Sequence, residues 1–305
     1  MKILVLGASG QVGSELATQL ENVLSLAGQN YSLVLASRAE ADVADFPLLR
    51  DFLRLNNPDF VINATAYTAV DNAETEVTQA YRVNEHAVRV MAEHCAAGNS
   101  NLIHISTDYV FDGSGEFPVS ENNEVAPLGV YGASKLAGEE AIRAALTQHL
   151  ILRTAWVFGV SGGNFVKTML RLAQTRNELG VVGDQYGAPT SARGIAKAIA
   201  TIVLKMSQAE STDDRWGTYH YTGHPFVSWA EFAREIFRQG NQKSMISRDP
   251  IVNAISTEQY PTPAKRPHNS RLDCSKIKDV FGIEPDDWRR SLGEMLDEIK
   301  GESVT

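Results

Sequence analysis

The chain has 305 residues, 43% of them hydrophobic, and 28 Lys and Arg against 37 Asp and Glu, for a formal net charge of −9. That length supports one large domain or a domain with a smaller lobe, and the acidic balance, with no extended basic run, argues against nucleic-acid binding by phosphate neutralisation. No apolar run approaches a membrane span, and the opening MKILVLGASG does not read as a signal peptide.

Lys2–Leu6 is a β-type run that reads straight into glycine, and Val12–Leu26 has helical periodicity. Leu33–Leu35 and Phe60–Asn63 predict the next two strands. Arg82–Ala97 predicts an Ala-rich helix, with Cys95 as a buried small hydrophobe. Asn101–Ser106 predicts a fourth strand, Tyr131–Leu146 a long helix and His149–Arg153 a further strand. This alternation predicts an α/β fold, a Rossmann-type parallel sheet with helices on both faces. Further on, Phe165–Thr175 predicts an amphipathic helix and Leu179–Val182 a short strand. Ala192–Met206, Trp229–Gln239 (behind the N-capping Ser228) and Trp288–Lys300 predict helices, and Tyr260–Ser270 predicts a structured loop. The second cysteine, Cys274, forms no metal-ligand or disulfide pattern with Cys95, so a reducing, cytoplasmic compartment is expected.

The segment GASGQVG places Gly7, Gly10 and Gly13 three apart between a strand and a helix. Gly7 permits a tight turn, Gly10 lets backbone approach a pyrophosphate, and Gly13 permits close helix–strand packing. Unpaired amides at the helix start, with Gln11 and Val12 among them, then face phosphate oxygens. The spacing departs from G-x-G-x-x-G, so a turn without a ligand is the alternative; the strand–turn–helix context favours a dinucleotide. The second strand runs into Ser37-Arg38, with no acid at either position. Arg38 is suited to neutralise the phosphate of NADPH, which an acid would repel; an exposed surface arginine is the alternative. NADPH is the expected cofactor, with NADH acceptance left open. Asp42 and Val43 are candidates for the adenine edge. Ala64, Thr65, Ala66, Tyr67 and Thr68 follow the third strand, where loops approach a cofactor, and Asn84 is a candidate to hold a neighbouring loop.

Ser106-Thr107-Asp108 follows the fourth strand, on the side where parallel sheets carry chemistry. Downstream, Tyr131 and Lys135 are four apart and share one helix face. Ketone reduction needs a hydride and a proton. A phenol can donate the proton, and a nearby ammonium lowers the phenol pKa toward the working pH. Thr107 can bond the substrate oxygen, and Asp108 can orient a sugar hydroxyl. Tyr-x-x-x-Lys alone is weak evidence, since any helix can carry it. The expected division is a nucleotide-binding domain over 1–155 and a smaller C-terminal substrate-binding lobe over 156–305, with segments returning to the first.

Taken with VINATAYTAVDNAE, STDYVFDG, YGASKLAGE, LRTAWVFG, NFVKTML, DQYGAPT and YPTPAKRPHNSRLD, these residues make the chain resemble the extended short-chain dehydrogenase/reductase family from Met1 to about Glu298. The resemblance implies reduction of dTDP-4-dehydro-β-L-rhamnose to dTDP-β-L-rhamnose. It implies Tyr131 as proton donor, Lys135 as its electrostatic partner and ribose ligand, and Thr107 as a carbonyl-side ligand. Gly10, Gln11 and Val12 match the pyrophosphate turn, Asp42 and Val43 the adenine side, and Ala66, Tyr67 and Thr68 the loop beside the cofactor. Thr107, Asp108 and Trp156 match positions near the sugar nucleotide; a buried core tryptophan is the alternative at Trp156. Asn164, Gln185, Arg266 and Asn269 are further candidates for the sugar or diphosphate.

Two departures carry consequences. Some family members have an acid where this chain has Ser37, which favours NADPH here. Some form a magnesium-linked homodimer through three glutamates. Glu15 and Glu298 match two of these, but Arg193 stands at the third and cannot ligate a metal. A magnesium bridge is therefore not expected, Glu15 and Glu298 read as ordinary solvent-facing carboxylates, and a monomer is expected first, with a homodimer left open. Competing functions are another nucleotide-sugar epimerase or dehydratase of the same family, and a non-catalytic dinucleotide-binding regulatory subunit.

Overall fold

The computed structural model describes residues 1–208 and 214–302. Its first strand, β1 (Lys2–Leu6), sends Ile3 and Val5 to one apolar cluster and Leu4 and Leu6 to another. A strand apolar on both faces needs cover on both. On the first face, α1 (Gln11–Leu26) supplies Leu16, Leu20 and Leu24. Strands β2 (Ser32–Ala36) and β3 (Phe60–Asn63) then pair in parallel with β1 on opposite sides. Between them lies α2 (Phe46–Asn56), which the sequence reading lacked. Asp45 caps it by accepting the Leu48 amide at 3.1 Å, a proline occupies its first turn, and left-handed Asn57 ends it. These are ordinary helix boundary signals.

The expected helix over Arg82–Ala97 begins earlier and is not uniform. Two short helices, α3 (Val70–Ala73) and α4 (Val77–Tyr81), lead into a π-helical turn over Arg82–His86, and α5 (Ala87–Gly98) continues the same rod. The wide turn pushes the Asn84 carbonyl toward the next long helix, where a Cβ on Gly138 would stand 2.1 Å from that oxygen. Next come β4 (Asn101–Thr107), α6 (Val130–Ala145) and β5 (His149–Thr154).

The second half contributes β6 (Val157–Phe158), α7 (Phe165–Ala173), β7 (Glu178–Val182), β8 (Tyr186–Gly187), β9 (Thr190–Ser191) and α8 (Ala192–Met206). It continues with β10 (Gly217–His220), β11 (Val227–Ser228), α9 (Trp229–Gln242), β12 (Ile251–Ile255), α10 (Ser275–Phe281) and α11 (Trp288–Glu302). Strand β10 joins the first sheet, giving six parallel strands in the order β10-β5-β4-β3-β1-β2. Helices α1, α8 and α10 cover one face, with Ile195, Ile199, Ile277 and Phe281 facing inward. Helices α2, α5 and α6 cover the other, through Leu49, Leu53, Met91, Cys95 and Ile142. The fold is therefore the expected Rossmann-type arrangement. Its smaller C-terminal lobe pairs β7 with β12 and packs Val166, Phe232, Ile236, Trp288 and Leu292 from α7, α9 and α11. Cys95 and Cys274 are both buried thiols. Among the described residues no helix is long and apolar enough to cross a membrane.

Candidate active site

The chain leaves β1 for β2 on one side and later returns as β3 on the other, so a crevice opens at the strand ends between β1 and β3. Gly7 turns the chain there with φ +85°, and a Cβ on it would stand 2.9 Å from the Ala64 carbonyl group after β3. A Cβ on Gly13 would come 2.0 Å from the Gly7 carbonyl oxygen. The turn thus demands glycine for contact as well as for backbone freedom. Gly10 is the N-cap of α1, and no side chain caps it, so the first-turn amides that include Gln11 and Val12 are available to an anion.

A cavity of about 260 Å³ lies against this turn and is lined by Gly7, Gly10, Arg38, Asp42, Val43, Ala64, Ala66 and Tyr67. Ser9, Ala41, Thr65, Gln79 and Val83 complete it; of these only Thr65 figured in the sequence reading. Thr68 is exposed and lies outside the lining, while Val12 is turned into the core. Asn84 fixes the loop after β3. Its Oδ1 accepts the Tyr67 amide at 2.9 Å, and its Nδ2 donates to the Tyr67 carbonyl at 3.1 Å and to Ser134 Oγ at 3.0 Å.

The end of β2 carries a surprise for the sequence reading. No acid stands at Ser37 or Arg38, but Glu40 folds back so that its carboxylate accepts both the Ser37 amide, at 2.8 Å, and the Ser37 hydroxyl. Those hydrogen bonds hold the Glu40 carboxyl below its ordinary value. Arg38 Nε donates to Asp42 Oδ2 at 3.2 Å and keeps 79% of its side chain exposed. Asp42 also accepts the Ala44 amide at 3.0 Å, so it closes a turn as well as lining the cavity.

Across the sheet, α6 begins where Glu74 accepts the Val130 amide at 2.9 Å. Gly132 lets the helix approach the segment after β4: a Cβ there would stand 2.1 Å from the Tyr109 carbonyl oxygen. This brings the Tyr131 phenol beside the Thr107 hydroxyl, which works against the effect of burial on the phenol, and Tyr109 meets the Tyr131 ring edge-on with centroids 5.4 Å apart. Thr107 Oγ1 donates to Asp108 Oδ1 at 3.1 Å. Asp108 is buried and leaves Oδ2 without a partner, with Ser270 near enough to favour its ionised form. Burial raises its pKa to about 6.

The electrostatics differ from expectation at Tyr131. Burial pushes the phenol up to about 12, and the nearby Asp108 adds to the rise. No ammonium offsets this, because the Lys135 amine is turned onto β4, with the Ile105 carbonyl at 2.7 Å and His104 Nε2 at 3.1 Å. Burial brings Lys135 down to about 8 against the favourable pull of Glu139. Burial also opposes charge on Glu139, but Arg153, with Ser106 and Arg143, more than offsets it and keeps that carboxyl below its ordinary value.

In the second lobe a cavity of about 400 Å³ is lined by apolar Phe165, Leu172, Leu179 and Trp229 together with Tyr260, Gln185 and Arg266. Trp156 does not line it. It stacks on Trp229 with centroids 3.6 Å apart, and Gly187 packs at its edge. Arg266 donates to Asp71 at 2.8 Å, and its charge reaches Tyr109, so it joins this cavity to the Tyr131 cluster. Asn164 and Asn269 are engaged by the protein itself. Asn164 caps α7 through the Lys167 amide and bonds Gln11 and the Gly159 carbonyl. Asn269 donates to the Phe117 carbonyl at 2.8 Å and accepts from Arg271.

Glu15, Arg193 and Glu298 do come together, but as a charge cluster. Arg193 donates to Glu15 at 3.1 Å and to Glu298 at 2.6 Å, so its guanidinium stands between the two carboxylates. Glu15 is 14% exposed and ion-paired, unlike the solvent-facing carboxylate expected. A bridging magnesium does not fit this donor set, because the position between the acids already holds a fixed cation.

A glycine turn at the switch point of a parallel sheet, facing a phenol and an amine one helical turn apart, is the layout of the short-chain dehydrogenases and reductases, and this protein is an oxidoreductase of that class. The model of the RmlD substrate binding domain matches residues 1–300. The chain is 43% identical over 291 residues to a dTDP-4-dehydrorhamnose reductase of Aggregatibacter actinomycetemcomitans, covering 95% of this chain and 97% of that protein. Among solved structures it resembles a dTDP-4-dehydrorhamnose reductase from Clostridium acetobutylicum, with a TM-score of 0.88, 36% identity and coverage of 98% of this chain and 100% of that one. It also resembles one from Bacillus anthracis in complex with NADP, with a TM-score of 0.84, 31% identity and coverage of 97% and 99%. The chain belongs to the dTDP-4-dehydrorhamnose reductase family.

Proposed function

We propose that this protein reduces the 4-keto group of dTDP-4-dehydro-β-L-rhamnose to give dTDP-β-L-rhamnose, with NADPH as cofactor. The observation that carries the reading is the Tyr131 phenol set beside the Thr107 hydroxyl at the end of β4, one helical turn from Lys135. The names of the relatives supply the sugar, and the NADP bound to the Bacillus anthracis protein supports the cofactor.

A dinucleotide fits the residues present. The turn at Gly7, Gly10 and Gly13 has no room for side chains at its closest contacts, the N-terminus of α1 is uncapped, and Arg38 presents an exposed guanidinium beside the lined cavity. When bound, NADPH supplies the hydride. Tyr131 supplies the proton. In the reductive direction the donor must hold its proton at neutral pH, and burial ensures that it does. Thr107, beside the phenol at the strand end, is placed to share a substrate oxygen with it. Lys135, as the ammonium, stabilises the phenolate left behind. Asp108, through its unpartnered oxygen, and Arg266 are suited to the polar groups of the sugar nucleotide. The apolar wall of Phe165, Leu172 and Trp229 suits a base or sugar face.

The test is oxidation of NADPH against a small panel of 4-keto nucleotide sugars, with identification of the product. One NADPH consumed per dTDP-β-L-rhamnose formed is the expected result. Redox-neutral conversion with retained cofactor would instead mark an epimerase or dehydratase. Tight NADPH binding with no turnover of any sugar would mark a dinucleotide-binding subunit.

A further inference from the structure

Lys135 is 1% exposed, yet no carboxylate bonds its amine; its partners are the Ile105 carbonyl and Nε2 of His104. His104 lies on β4 and is fully buried. Its other ring nitrogen, Nδ1, is 2.9 Å from the side-chain amide nitrogen of Asn63, at the end of β3. The direction of hydrogen bonding along this chain is fixed at its far end. The Thr65 backbone amide, which can only donate, lies 3.0 Å from Asn63 Oδ1, and the Thr65 hydroxyl lies 2.6 Å from the same oxygen. Asn63 must therefore turn its oxygen to Thr65 and its NH2 to His104. Nδ1 then accepts, so the neutral imidazole carries its one hydrogen on Nε2, pointing at the Lys135 nitrogen. An ammonium has three donors and no lone pair to receive that hydrogen. A neutral amine accepts it while still donating to the Ile105 carbonyl.

We propose that Asn63 and His104 are positioning residues that favour the neutral amine of Lys135 for as long as it faces His104. The ammonium that supports Tyr131 then forms, by uptake of one proton from solvent, when the amine turns away from His104. This rests on the reading of Lys135 as the partner of Tyr131.

The surroundings agree. On α6, Tyr131 lies one turn before Lys135 and Glu139 one turn after it. Glu139 favours the ammonium but is engaged by Arg153 at 2.6 and 2.9 Å, Arg143 at 2.7 Å and Ser106 at 2.6 Å. From the β4 end, Asp108 accepts from Thr107, and Tyr109 packs on the Tyr131 ring. From α3 and the turn after it, Glu74 holds the first amide of α6. Burial keeps His104 well below the usual histidine range, so it does not enter as an imidazolium.

The test begins with long-range proton–nitrogen NMR of the ¹⁵N-histidine-labelled protein, which has seven histidines. His104 is assigned by its loss in His104→Gln or, should that variant not fold, by through-bond connection to its backbone amide. An unprotonated Nδ1 and a protonated Nε2 at neutral pH are expected; a proton on Nδ1 would overturn the proposal. This readout needs no substrate, so it separates failure of the proposal from failure of the reductase reading. The second measurement is the pH profile of kcat/KM. The wild-type rate should fall through an alkaline limb near the Lys135 value of about 8. His104→Gln, whose amide can turn its oxygen toward an ammonium, should move that limb up by a full pH unit or more. A merely structural His104 would lower the rate at all pH values and leave the limb in place, and that result would also overturn the proposal.

Discussion

The proposed cofactor end and the proposed sugar end of this site are built on different principles. At the cofactor end the critical surface is backbone. Three glycines within seven residues, an uncapped helix start and one neighbouring loop make most of it, and the absence of side chains is what shapes it. At the sugar end the surface is side chains brought from far apart, such as Arg266 held by Asp71 and Trp229 stacked on Trp156. The first kind of site tolerates little added volume at a few points. The second spreads its requirements over many residues, each replaceable at smaller cost.

The sharpest way to break this contrast lies where the two ends meet. Tyr131→Phe should lower turnover by about 10²–10⁴-fold while NADPH still binds, the scale expected for losing a positioned proton donor. Stopped-flow loss of NADPH absorbance would show it, and a near-normal rate would remove Tyr131 from the chemistry. At the cofactor end, Gly13→Ala forces a methyl group to within 2.0 Å of the Gly7 oxygen unless the turn shifts. Overpacking of this kind costs about 1–3 kcal/mol. Titration of NADPH fluorescence should therefore give a Kd raised by roughly 5- to 150-fold, and an unchanged Kd would mean that the turn is softer than its contacts imply. The smallest effect concerns cofactor choice. Arg38→Asp should shift the NADPH to NADH ratio of kcat/KM toward NADH by about tenfold, the scale of one charge-assisted hydrogen bond. Glu40→Gln should move the ratio the other way by less, because its carboxylate lies at Ser37. If neither ratio moved, the end of β2 would have no part in discrimination.

The same contrast explains what could be read from the sequence. GASGQVG and the Tyr131/Lys135 spacing are local, and local patterns survive translation into structure: β3 and α8 fall at their predicted bounds. The helix α2 also had a local signal, in Asp45 and the proline that follows Phe46, that went unused. What local pattern cannot give is orientation. Nothing in the spacing of Tyr131 and Lys135 says that the amine turns to His104, or that Glu40 folds onto Ser37. Asn164 and Asn269 illustrate the same limit: polar loop residues look like ligand contacts until their amides are found holding Gln11 and Phe117. The π turn at Asn84 has no local signal, and the Gly138 backbone that its carbonyl meets lies more than fifty residues away.

The packing of α8 on α1, and of β10 beside β5, has a further consequence for how the molecule comes into being. Both pieces are encoded well after the strands they complete. On the ribosome, the nascent polypeptide carries the apolar cluster of Leu16, Leu20 and Leu24 without its α8 cover until synthesis has passed Met206. A fragment ending before that point keeps that side of the cluster uncovered, and such a surface invites self-association.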